Sequence, residues 1–442
     1  HPIARTMGSL AVATSMGAGR ELRVRPARRI DLLAHFSGAF DLAEDQRPGH
    51  AARVAYLGSR VAEALHLGPE EQARVLHVGL LHDSGLGLRA EGMEADAAAW
   101  VARRFGLEAQ IEEAVRATSE RWDGRGRPLG LSGTEIPVEA LCVSAAHWAC
   151  EFADHVDHPL RARASLQRAH ESELIPIVGA KVAEALRDVL REDETWLAVF
   201  GDDIAGLVAR LGVGEGKPSR RRVEEATEAM GAVIDAAVRE PGRAFAVAAV
   251  SRALGAQLGL SEGACEMLAV AGHLLDIGQL GVPRTILGKP SILTVDEMEL
   301  MRRHPGVGGR LVAGVPGFED VADWLEQHHE RPDGRGYPEM LADDELPLPP
   351  RILAVADTYW ALRAHRPYRA AYEAQHALET LHAGAGKQFD AEVVEALPAA
   401  LEVADLVLAQ RELGLAEGLA GDAAGGPAAG GKEPLDLADA RR

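Results

Sequence analysis

The chain repeats itself, and this duplication constrains its fold more than any other feature of the sequence. The segment GHAARVAYLGSRVAEALHLG, from Gly49, matches GRAFAVAAVSRALGAQLGL, from Gly242, at an offset of 193 residues. Two further matches follow in the same order, SERWDGRGRP with HERPDGRGYP at an offset of 210 and ALCVSAAHWA with ILAVADTYWA at an offset of 212. Because ordered matches at a nearly constant offset are difficult to obtain by chance, we infer two copies of one domain.

The duplicated segments carry the periodicity of helices. From Ile30 onwards apolar residues recur at spacings of three and four, and no sustained strand-like alternation interrupts them. Aromatic residues make up only 4% of the chain, whereas Ala, Leu, Glu and Arg dominate, which favours helix over sheet. The sequence therefore predicts an all-α protein built from two tandem helical bundle domains.

Glycine and proline mark the borders of these domains. The segment GVGEGKP at 212–218 ends helices and exposes backbone, so we interpret it as an interdomain linker. The stretch from residue 418 is rich in Gly and Ala and has little apolar surface to bury. The predicted organisation is an N-terminal segment at 1–30, a first repeat at 31–211, the linker at 212–218, a second repeat at 219–417 and a disordered tail at 418–442.

Charge and composition argue against several classes of protein. The formal net charge of −20 disfavours a general nucleic-acid-binding surface, which normally has a basic face. We find no apolar run long enough to cross a bilayer and no charged-then-apolar leader with a cleavage site. Three scattered cysteines are too few for a disulfide framework and suit a reducing compartment. We therefore expect a cytoplasmic protein that binds neither nucleic acid nor membrane.

The second repeat resembles the HD-GYP family. The string HHERPDGRGYP from His328 is accompanied, in family order, by GVPRTILGKPSILTVDEMELMRRHP from Gly281, RILAVADTYWAL from Arg351, RPYR from Arg366 and GKQFD from Gly386. This match extends over roughly 130 residues and is more specific than any single short motif. The resemblance implies HD-type helical bundles that bind two or three iron or manganese ions and hydrolyse the phosphodiester bonds of cyclic di-GMP.

The resemblance also marks candidate metal ligands in both repeats. In the first repeat, which resembles the family more weakly, they are His50 and the consecutive pair His82 and Asp83. In the second repeat they are Asp276, His304, His328, His329 and Asp357. Imidazole and carboxylate suit divalent first-row metals, and carboxylates that bridge neighbouring ions can hold a hydroxide nucleophile against a phosphate. We expect one to three divalent ions, iron or manganese, with Asp276 and His304 as catalytic residues.

The second repeat departs from the family pattern among its early ligands. Leu275 stands in place of the histidine of the HD pair, Arg243 in place of the upstream histidine, and Gln279 in place of a lysine. His273 lies about 200° away from Leu275 around a helix and is a poor substitute. A cation at Arg243 can occupy the space of a missing metal ion.

The first repeat departs from the pattern in its later half. Its paired histidines are replaced by Thr118 and Ser119, its final aspartate by Ala145, and its middle histidine has no counterpart near positions 94–96. Two explanations stay open. Either the repeats decayed independently, or early helices of the first repeat pack on late helices of the second and assemble one composite site. The distance between His82 and His328 discriminates between them.

Cationic and aromatic side chains of the second repeat are candidates for binding a phosphorylated ligand. Guanidinium groups match phosphate oxygens in fork geometry, although helix capping or surface ion pairing explains such residues equally well. The candidates for phosphate contacts are Arg335, Arg366, Arg369 and Lys289. Tyr337 either stacks on a base or packs a turn, and Asp333 is expected to bond its own loop backbone.

Two functions remain open on the sequence alone. The paired histidines, the GYP string and the final aspartate favour a metal-dependent phosphodiesterase acting on cyclic di-GMP or a related phosphodiester. The missing ligands favour a catalytically silent relative that binds a nucleotide or a partner protein as a regulatory module, because losing one ligand commonly abolishes a two-metal mechanism. We prefer the enzyme, a signalling phosphohydrolase whose ligand is a cyclic dinucleotide or another phosphorylated small molecule. A homodimer or a signalling partner protein stays open.

Overall fold

The computed structural model describes residues 22–44, 46–85, 93–154, 158, 161, 166, 171–212, 219–364 and 370–423. Over these residues the regular structure is helical, and the β-pairing consists of isolated bridges such as that between Ala27 and Ser219. The all-α prediction is therefore confirmed. Apart from Gly212, the predicted linker lies outside the described residues, as do positions 1–21 of the N-terminal segment and 424–442 of the predicted tail.

The first repeat forms a helical bundle with a short 3-10 helix at Gly133–Glu135. In chain order its α-helices are α1 Arg29–Ala43, α2 His50–Ala64, α3 Pro69–Leu81, α4 Glu94–Arg104, α5 Ala109–Arg116, α6 Val138–Asp154, α7 Glu171–Val178, α8 Ala180–Val189, α9 Asp193–Val199 and α10 Ile204–Leu211. α3 begins with Pro69, followed by two glutamates, which suits the positive end of a helix and its unpaired N–H groups.

The second repeat forms a similar bundle with a 3-10 helix at Ile277–Gly281, here called the HD turn. Its α-helices are α11 Arg220–Val238, α12 Arg243–Gln257, α13 Glu262–Leu274, α14 Arg284–Leu287, α15 Val295–Met301, α16 His304–Ala313, α17 Glu319–Gln327, α18 Leu348–Arg363, α19 Ala374–Gly384 and α20 Ala391–Ala423. Because the backbone of α20 passes residue 418, the expected disordered tail does not begin there. Among the described residues, no helix combines the length and apolar character that a membrane span requires.

Two buried aspartates at equivalent positions start the helices that carry the early site residues. Asp41 accepts hydrogen bonds from two backbone N–H groups at the beginning of α2, at 2.8 and 3.0 Å. Asp235 accepts one from the second residue of α12 at 3.0 Å. Burial raises the pKa of Asp41 to about 6 and that of Asp235 to about 7. By fixing where each helix begins, these caps fix the positions of His50 and Arg243.

Glycines bring the helices of each repeat into backbone contact. A Cβ atom at Gly79 in α3 would lie 2.5 Å from Ala55 Cα in α2, and one at Gly272 in α13 would lie 2.6 Å from the backbone of α12. Both helix pairs therefore cross where no side chain fits between them. In the first repeat this crossing places the ring of His50, at the start of α2, 5.5 Å from that of His82, just beyond α3.

Each repeat packs mainly on itself. In the first, α2 contacts α3 and α6, and in the second α12 contacts α13, α18 and α20. The main contacts of the early helices thus lie within their own repeat, which contradicts the composite site. The repeats meet through α1, which lies against α11, α16 and the HD turn. Their buried apolar side chains form one continuous core.

Candidate metal centres

Three imidazoles and one carboxylate converge in the first repeat. Each offers one ligand atom, and all four atoms lie within 4.8 Å of one another. The residues of this first-repeat cluster are His50, His82, Asp83 and His147. His147 Nδ1 lies 3.0 Å from His82 Nε2 and 3.3 Å from His50 Nε2. Asp83 Oδ2 lies 3.0 Å from His82 Nε2. Four groups of this chemistry can hold one divalent ion.

The surroundings of the first-repeat cluster favour a bound cation. His82 Nδ1 donates a hydrogen bond to the carbonyl of Gly79 at 2.8 Å, so the Nε2 lone pair points into the cluster. That lone pair faces the buried Asp83 Oδ2, to which no described group donates a hydrogen bond of good geometry. Burial raises the pKa of Asp83, but the neighbouring imidazoles outweigh it and hold the pKa below its usual range. An ionised carboxylate among inward lone pairs fits a divalent ion.

His147 is the candidate ligand that the comparison of the two repeats missed. The family position is Ala145, whose fully buried side chain ends at Cβ, and His147 follows two residues later in α6. Residues two positions apart point about 200° apart on a helix, so the alignment of the repeats does not mark His147 as a ligand. A histidine close to the expected position was the only signal in the sequence. The same argument held for His273, whose ring stacks on Phe245 and whose Nδ1 lies 3.4 Å from a threonine hydroxyl.

Three predicted ligands of the second repeat also converge. They are His304, His328 and His329, and their ligand atoms lie within 4.8 Å of one another. His304 Nε2 and His328 Nε2 are 3.3 Å apart, and the ring centroids of His328 and His329 are 4.1 Å apart. This second-repeat cluster forms where the start of α16 meets the end of α17.

Backbone carbonyls orient the rings of the second-repeat cluster. Met301 O accepts a hydrogen bond from His304 Nδ1 at 2.8 Å, and Leu325 O accepts one from His328 Nδ1 at 2.6 Å. Because a carbonyl cannot donate, both Nδ1 atoms carry the proton and the two Nε2 lone pairs face each other. Burial lowers the pKa of His304 to about 4 and that of His329 well below its usual value. Rings whose Nε2 lone pairs face each other suit a shared metal cation.

A glycine brings His304 to the HD turn. A Cβ atom at Gly278 would lie 2.0 Å from the carbonyl oxygen of His304, so the turn and the start of α16 are in backbone contact. As a result His304 Nε2 lies 3.5 Å from Asp276 Oδ1. The first repeat keeps the same contact, between Gly85 and the carbonyl of Glu94, although a glutamate stands where the second repeat has its histidine.

A guanidinium binds the carboxylates that the sequence assigned to metal. Arg243 Nη1 donates to Asp276 Oδ2, and Nη2 donates to Asp357 Oδ1. Arg243 Nε lies 3.3 Å from Glu240 Oε2. The other oxygen of Asp276 accepts a hydrogen bond from Gln279 Nε2 at 2.5 Å. Burial raises the pKa of Asp276, but Arg243 outweighs it and holds the pKa low. Asp357 therefore pairs with Arg243 in this structure, and Asp276 adjoins the histidine cluster without completing it.

The loop after the paired histidines is built in the same way in both repeats. The Glu330 carboxylate accepts hydrogen bonds from three successive backbone N–H groups at 2.6, 3.0 and 3.0 Å. Glu120 makes the same three bonds in the first repeat. Asp333 accepts a hydrogen bond from the backbone N–H of Arg335 at 3.2 Å and pairs with Arg331, as its expected structural role requires. The loop is therefore kept where the histidines are lost.

Tyr337 lies against the second-repeat cluster. Its ring centroid is 4.8 Å from that of His329, and the guanidinium of Arg302 lies 5.3 Å from the Tyr337 centroid. Tyr337 thus packs between an imidazole and a cation. Arg335 is exposed at the same loop, and both arginines can reach solvent.

The remaining phosphate candidates lie elsewhere. Lys289 Nζ is 2.5 Å from Glu297 Oε2, which matches the ion-pair alternative for this residue. Arg366 and Arg369 lie outside the described residues.

The helical fold and the two clusters define a class of protein, that of metal-binding bundles built around histidine and aspartate ligands. Family models described as HD domain match residues 47–148 and 221–393. These ranges contain the first-repeat cluster and the second-repeat cluster, respectively. The chain therefore belongs to the HD superfamily and carries two HD domains in tandem.

Several curated proteins are similar to this chain. The cyclic di-GMP phosphodiesterase response regulator RpfG of Xanthomonas campestris pv. campestris is 43% identical over 143 residues, which are 32% of this chain and 38% of that protein. The 3′3′-cGAMP-specific phosphodiesterase 3 of Vibrio cholerae is 28% identical over 317 residues, 69% of this chain and 65% of its own. The 3′3′-cGAMP-specific phosphodiesterase 1 is 26% identical over 351 residues, 72% of this chain and 79% of its own. The chain spans less than two thirds of the length of the first two of these proteins.

A solved structure supports the fold. The crystal structure of a cyclic GMP-AMP-specific phosphodiesterase of V. cholerae superposes with a TM-score of 0.63 at 22% identity. The match covers 86% of this chain and 99% of that chain. Because it extends over most of both chains, the shared fold includes the tandem arrangement.

Proposed function

We propose that this chain is a metal-dependent phosphohydrolase that cleaves a phosphodiester bond of a cyclic dinucleotide, with the activity in the second repeat. The observation that carries the proposal is the facing pair of Nε2 lone pairs on His304 and His328, with His329 beside them. Three protein ligands leave coordination positions of an ion open, as catalytic metal sites require. The relatives named above as phosphodiesterases of cyclic di-GMP and 3′3′-cGAMP support this substrate class.

Iron or manganese is the proposed ion, one in each cluster. A divalent ion of this kind, when bound, polarises a phosphoryl oxygen and lowers the pKa of a water molecule. The three histidines of the second repeat hold it with Nδ1 protons that backbone carbonyls have already fixed, so little reorganisation accompanies binding. The four ligands of the first-repeat cluster leave fewer open positions, which favours a structural ion there.

Asp276 is proposed as the catalytic carboxylate that orients the attacking water. Its Oδ1 lies 3.5 Å from His304 Nε2, at the edge of the cluster. Because Arg243 holds the pKa of Asp276 low, the carboxylate is ionised at neutral pH and can accept a hydrogen bond that orients the attacking water. Because His304 is both a proposed ligand of the ion and a neighbour of Asp276, the ion and this carboxylate would lie at the same site.

Residues around the cluster are proposed to bind the substrate. Tyr337 packs against His329 and Arg302 lies over the Tyr337 ring, and a base or a phosphate can replace solvent on their exposed side. Arg335 lies on the same loop and is free to turn towards a phosphate. Lys289 can contact a phosphate only after its ion pair with Glu297 breaks.

Arg366 and Arg369 keep the same proposed role as phosphate contacts. Both belong to the string RPYR, which resembles the family pattern. The guanidinium fork suits the two non-bridging oxygens of a phosphodiester.

A second candidate function rests on Arg243. Its guanidinium pairs with both Asp276 and Asp357, the carboxylates that the resemblance assigns to metal. If cleavage requires these carboxylates as ligands of a second ion, the second repeat binds the cyclic dinucleotide without cleaving it and acts as a regulatory module.

Location and assembly remain predictions. The described cysteines, Cys142, Cys150 and Cys265, are buried and form no disulfide with one another, which suits the proposed cytoplasmic location. A homodimer or a signalling partner protein is a further proposal.

Hydrolysis of defined nucleotides tests the proposal. The full chain is loaded with Mn²⁺ or, without oxygen, with Fe²⁺, and cyclic di-GMP and 3′3′-cGAMP are each followed to linear product. We expect turnover that His328→Ala lowers at least about 100-fold, since the ion loses a ligand. His376→Ala, which removes an exposed imidazole on α19, should leave the rate unchanged.

The outcomes separate the two functions. Tight binding of either nucleotide without turnover favours the regulatory module. Neither binding nor turnover with metal bound contradicts both candidates.

A further inference from the structure

We propose that the second repeat binds a single metal ion because the guanidinium of Arg243 is a built-in cation at the place where the first repeat gathers its metal ligands. The duplication supplies the reference for this inference. At the offset of 193 residues, His50 corresponds to Arg243 and His82 to Leu275, while the aspartate of each HD pair is kept. At this position the first repeat therefore has imidazoles, whereas the second repeat of the same chain has a guanidinium.

The three nitrogen atoms of Arg243 each face a carboxylate. Nη1 and Nη2 donate to Asp276 and Asp357, and Nε lies 3.3 Å from Glu240. The side chains of Arg243, Asp276 and Asp357 are only 12, 8 and 11% exposed. A buried, fully surrounded guanidinium does not leave its partners at small cost, because each carboxylate would lose its counter-charge.

The carboxylates have little capacity left for an ion at this place. Asp276 uses one oxygen for Arg243 and the other for Gln279. The adjacent cavity has a volume of about 10 Å³ and is lined by Arg243, Leu275, Asp276 and Asp357, among others. That is room for about one water molecule, not for an ion with its own water ligands.

The charges around Arg243 point to one ion rather than two. Three carboxylates surround one guanidinium, so these four side chains together carry more negative than positive charge. One divalent ion at the second-repeat cluster offsets that excess, whereas a second ion beside the guanidinium would place two cations in direct contact in a buried site. The ligand atoms at hand agree, since His304, His328 and His329 converge on one point.

For the reaction, Arg243 is a positioning residue. A guanidinium stays protonated at any working pH and is not removed by chelators. It fixes the orientation of Asp276 beside His304. This consequence rests on the proposed function, whereas the single ion does not.

Restoring the imidazoles tests the inference. The double variant Arg243→His, Leu275→His recreates the early positions of the first repeat beside Asp276 and Asp357. The full chain is loaded with Mn²⁺, its metal content is measured after gel filtration, and its electron paramagnetic resonance spectrum is recorded. We expect two magnetically isolated ions per wild-type chain, and three in the double variant with the signal of a spin-coupled pair. Arg252→His, an exposed substitution on α12, should bind two.

Several results would overturn the inference. A coupled pair in the wild-type chain shows that two ions already lie together despite Arg243, and this holds even if the double variant does not fold. A double variant that folds but binds no extra ion also contradicts the inference. So does a His328→Ala variant that binds as many ions as the wild-type chain. If metal counts and spectra are as expected but no cyclic dinucleotide is hydrolysed, the proposed function fails and the single-ion site stands.

Discussion

His147 completes the first-repeat cluster from a position that the duplication does not mark. Its Nδ1 approaches the Nε2 atoms of His50 and His82 at 3.3 and 3.0 Å. Ala145, at the family position, offers no ligand atom because its side chain ends at Cβ. With an imidazole in place of the family carboxylate, the site has more nitrogen ligands and the same number of metal-ligating groups.

Removing this imidazole should remove one ion. We expect His147→Ala to lose the ion of the first-repeat cluster and to unfold at a lower temperature, because a bound ion stabilises the fold by about 3 kcal/mol at a concentration 100 times its Kd. Metal analysis and thermal unfolding with and without chelator measure both effects. His147→Asp, which restores a carboxylate donor on the same helix, should retain more metal. Full metal content in His147→Ala contradicts the assignment.

Residue type was easier to predict than residue contact. His50, His82 and Asp83 stand on family positions and converge, as do the three histidines of the second repeat. The pairing of Asp357 could not be predicted, because it depends on where the long side chain of Arg243 reaches in three dimensions. The ion pair of Lys289 with Glu297 could not be predicted for the same reason, because it depends on tertiary packing.

At the scale of elements, close backbone contacts place the ligands. Gly278 holds the HD turn against the start of α16, and Gly85 makes the equivalent contact in the first repeat. Glycine is required at both positions because any Cβ atom would overlap a carbonyl oxygen of the neighbouring helix.

Substituting the two glycines separates stability from metal binding. Gly278→Ala should push α16 away from Asp276, lower the free energy of unfolding by about 1–3 kcal/mol and release the ion of the second-repeat cluster. Gly85→Ala should cost similar stability and keep that ion, because it lies in the other repeat. Denaturant unfolding and metal analysis of both variants compare them. Equal loss of second-repeat metal in both variants argues against this role of Gly278.

The buried cap of α12 predicts a pH dependence of stability. The pKa of Asp235 is raised by burial from 3.8 to about 7, so between pH 4 and 7 the folded chain binds more protons than the unfolded chain. Stability from this group is present below pH 4 and is lost as the pH rises through 7. Asp235→Asn should reduce that fall by an amount on the order of a few kcal/mol, measured by denaturant unfolding.

An exposed aspartate provides the control for the cap. Asp188→Asn, on α8, should leave the slope of stability against pH unchanged. If the free energy of unfolding of Asp235→Asn depends on pH as that of the wild type does, Asp235 does not titrate between pH 4 and 7.

Helix content and order followed from periodicity, whereas helix docking did not. The apolar spacing from Ile30 predicts the helical region that begins with α1 at Arg29. The loop strings with Asp333 and Gly334 predict a turn that Glu330 then anchors through three N–H groups. Glu330 itself gives no sequence signal of that role, because the N–H groups that donate to it are brought there by tertiary packing.

For the whole molecule, the duplication produced two metal clusters that retain different parts of one ligand set. The first repeat gathers its early ligands and the second its late ones, and each cluster stays within its own bundle. α1 packs against α11, α16 and the HD turn, so the two bundles share one core. No pattern in the sequence of α1 marks the second repeat as its neighbour, because its apolar residues suit any apolar surface.

The positions of bound ions in a crystal decide whether each cluster holds one ion. Crystals of the full chain loaded with Mn²⁺ are measured at the manganese absorption edge, and the anomalous difference map locates each ion. We expect one peak among His50, His82, Asp83 and His147 and one among His304, His328 and His329, with Arg243 still bound to Asp276 and Asp357. A peak between Asp276 and Asp357 with Arg243 displaced, or no peak at the three histidines, would contradict this expectation.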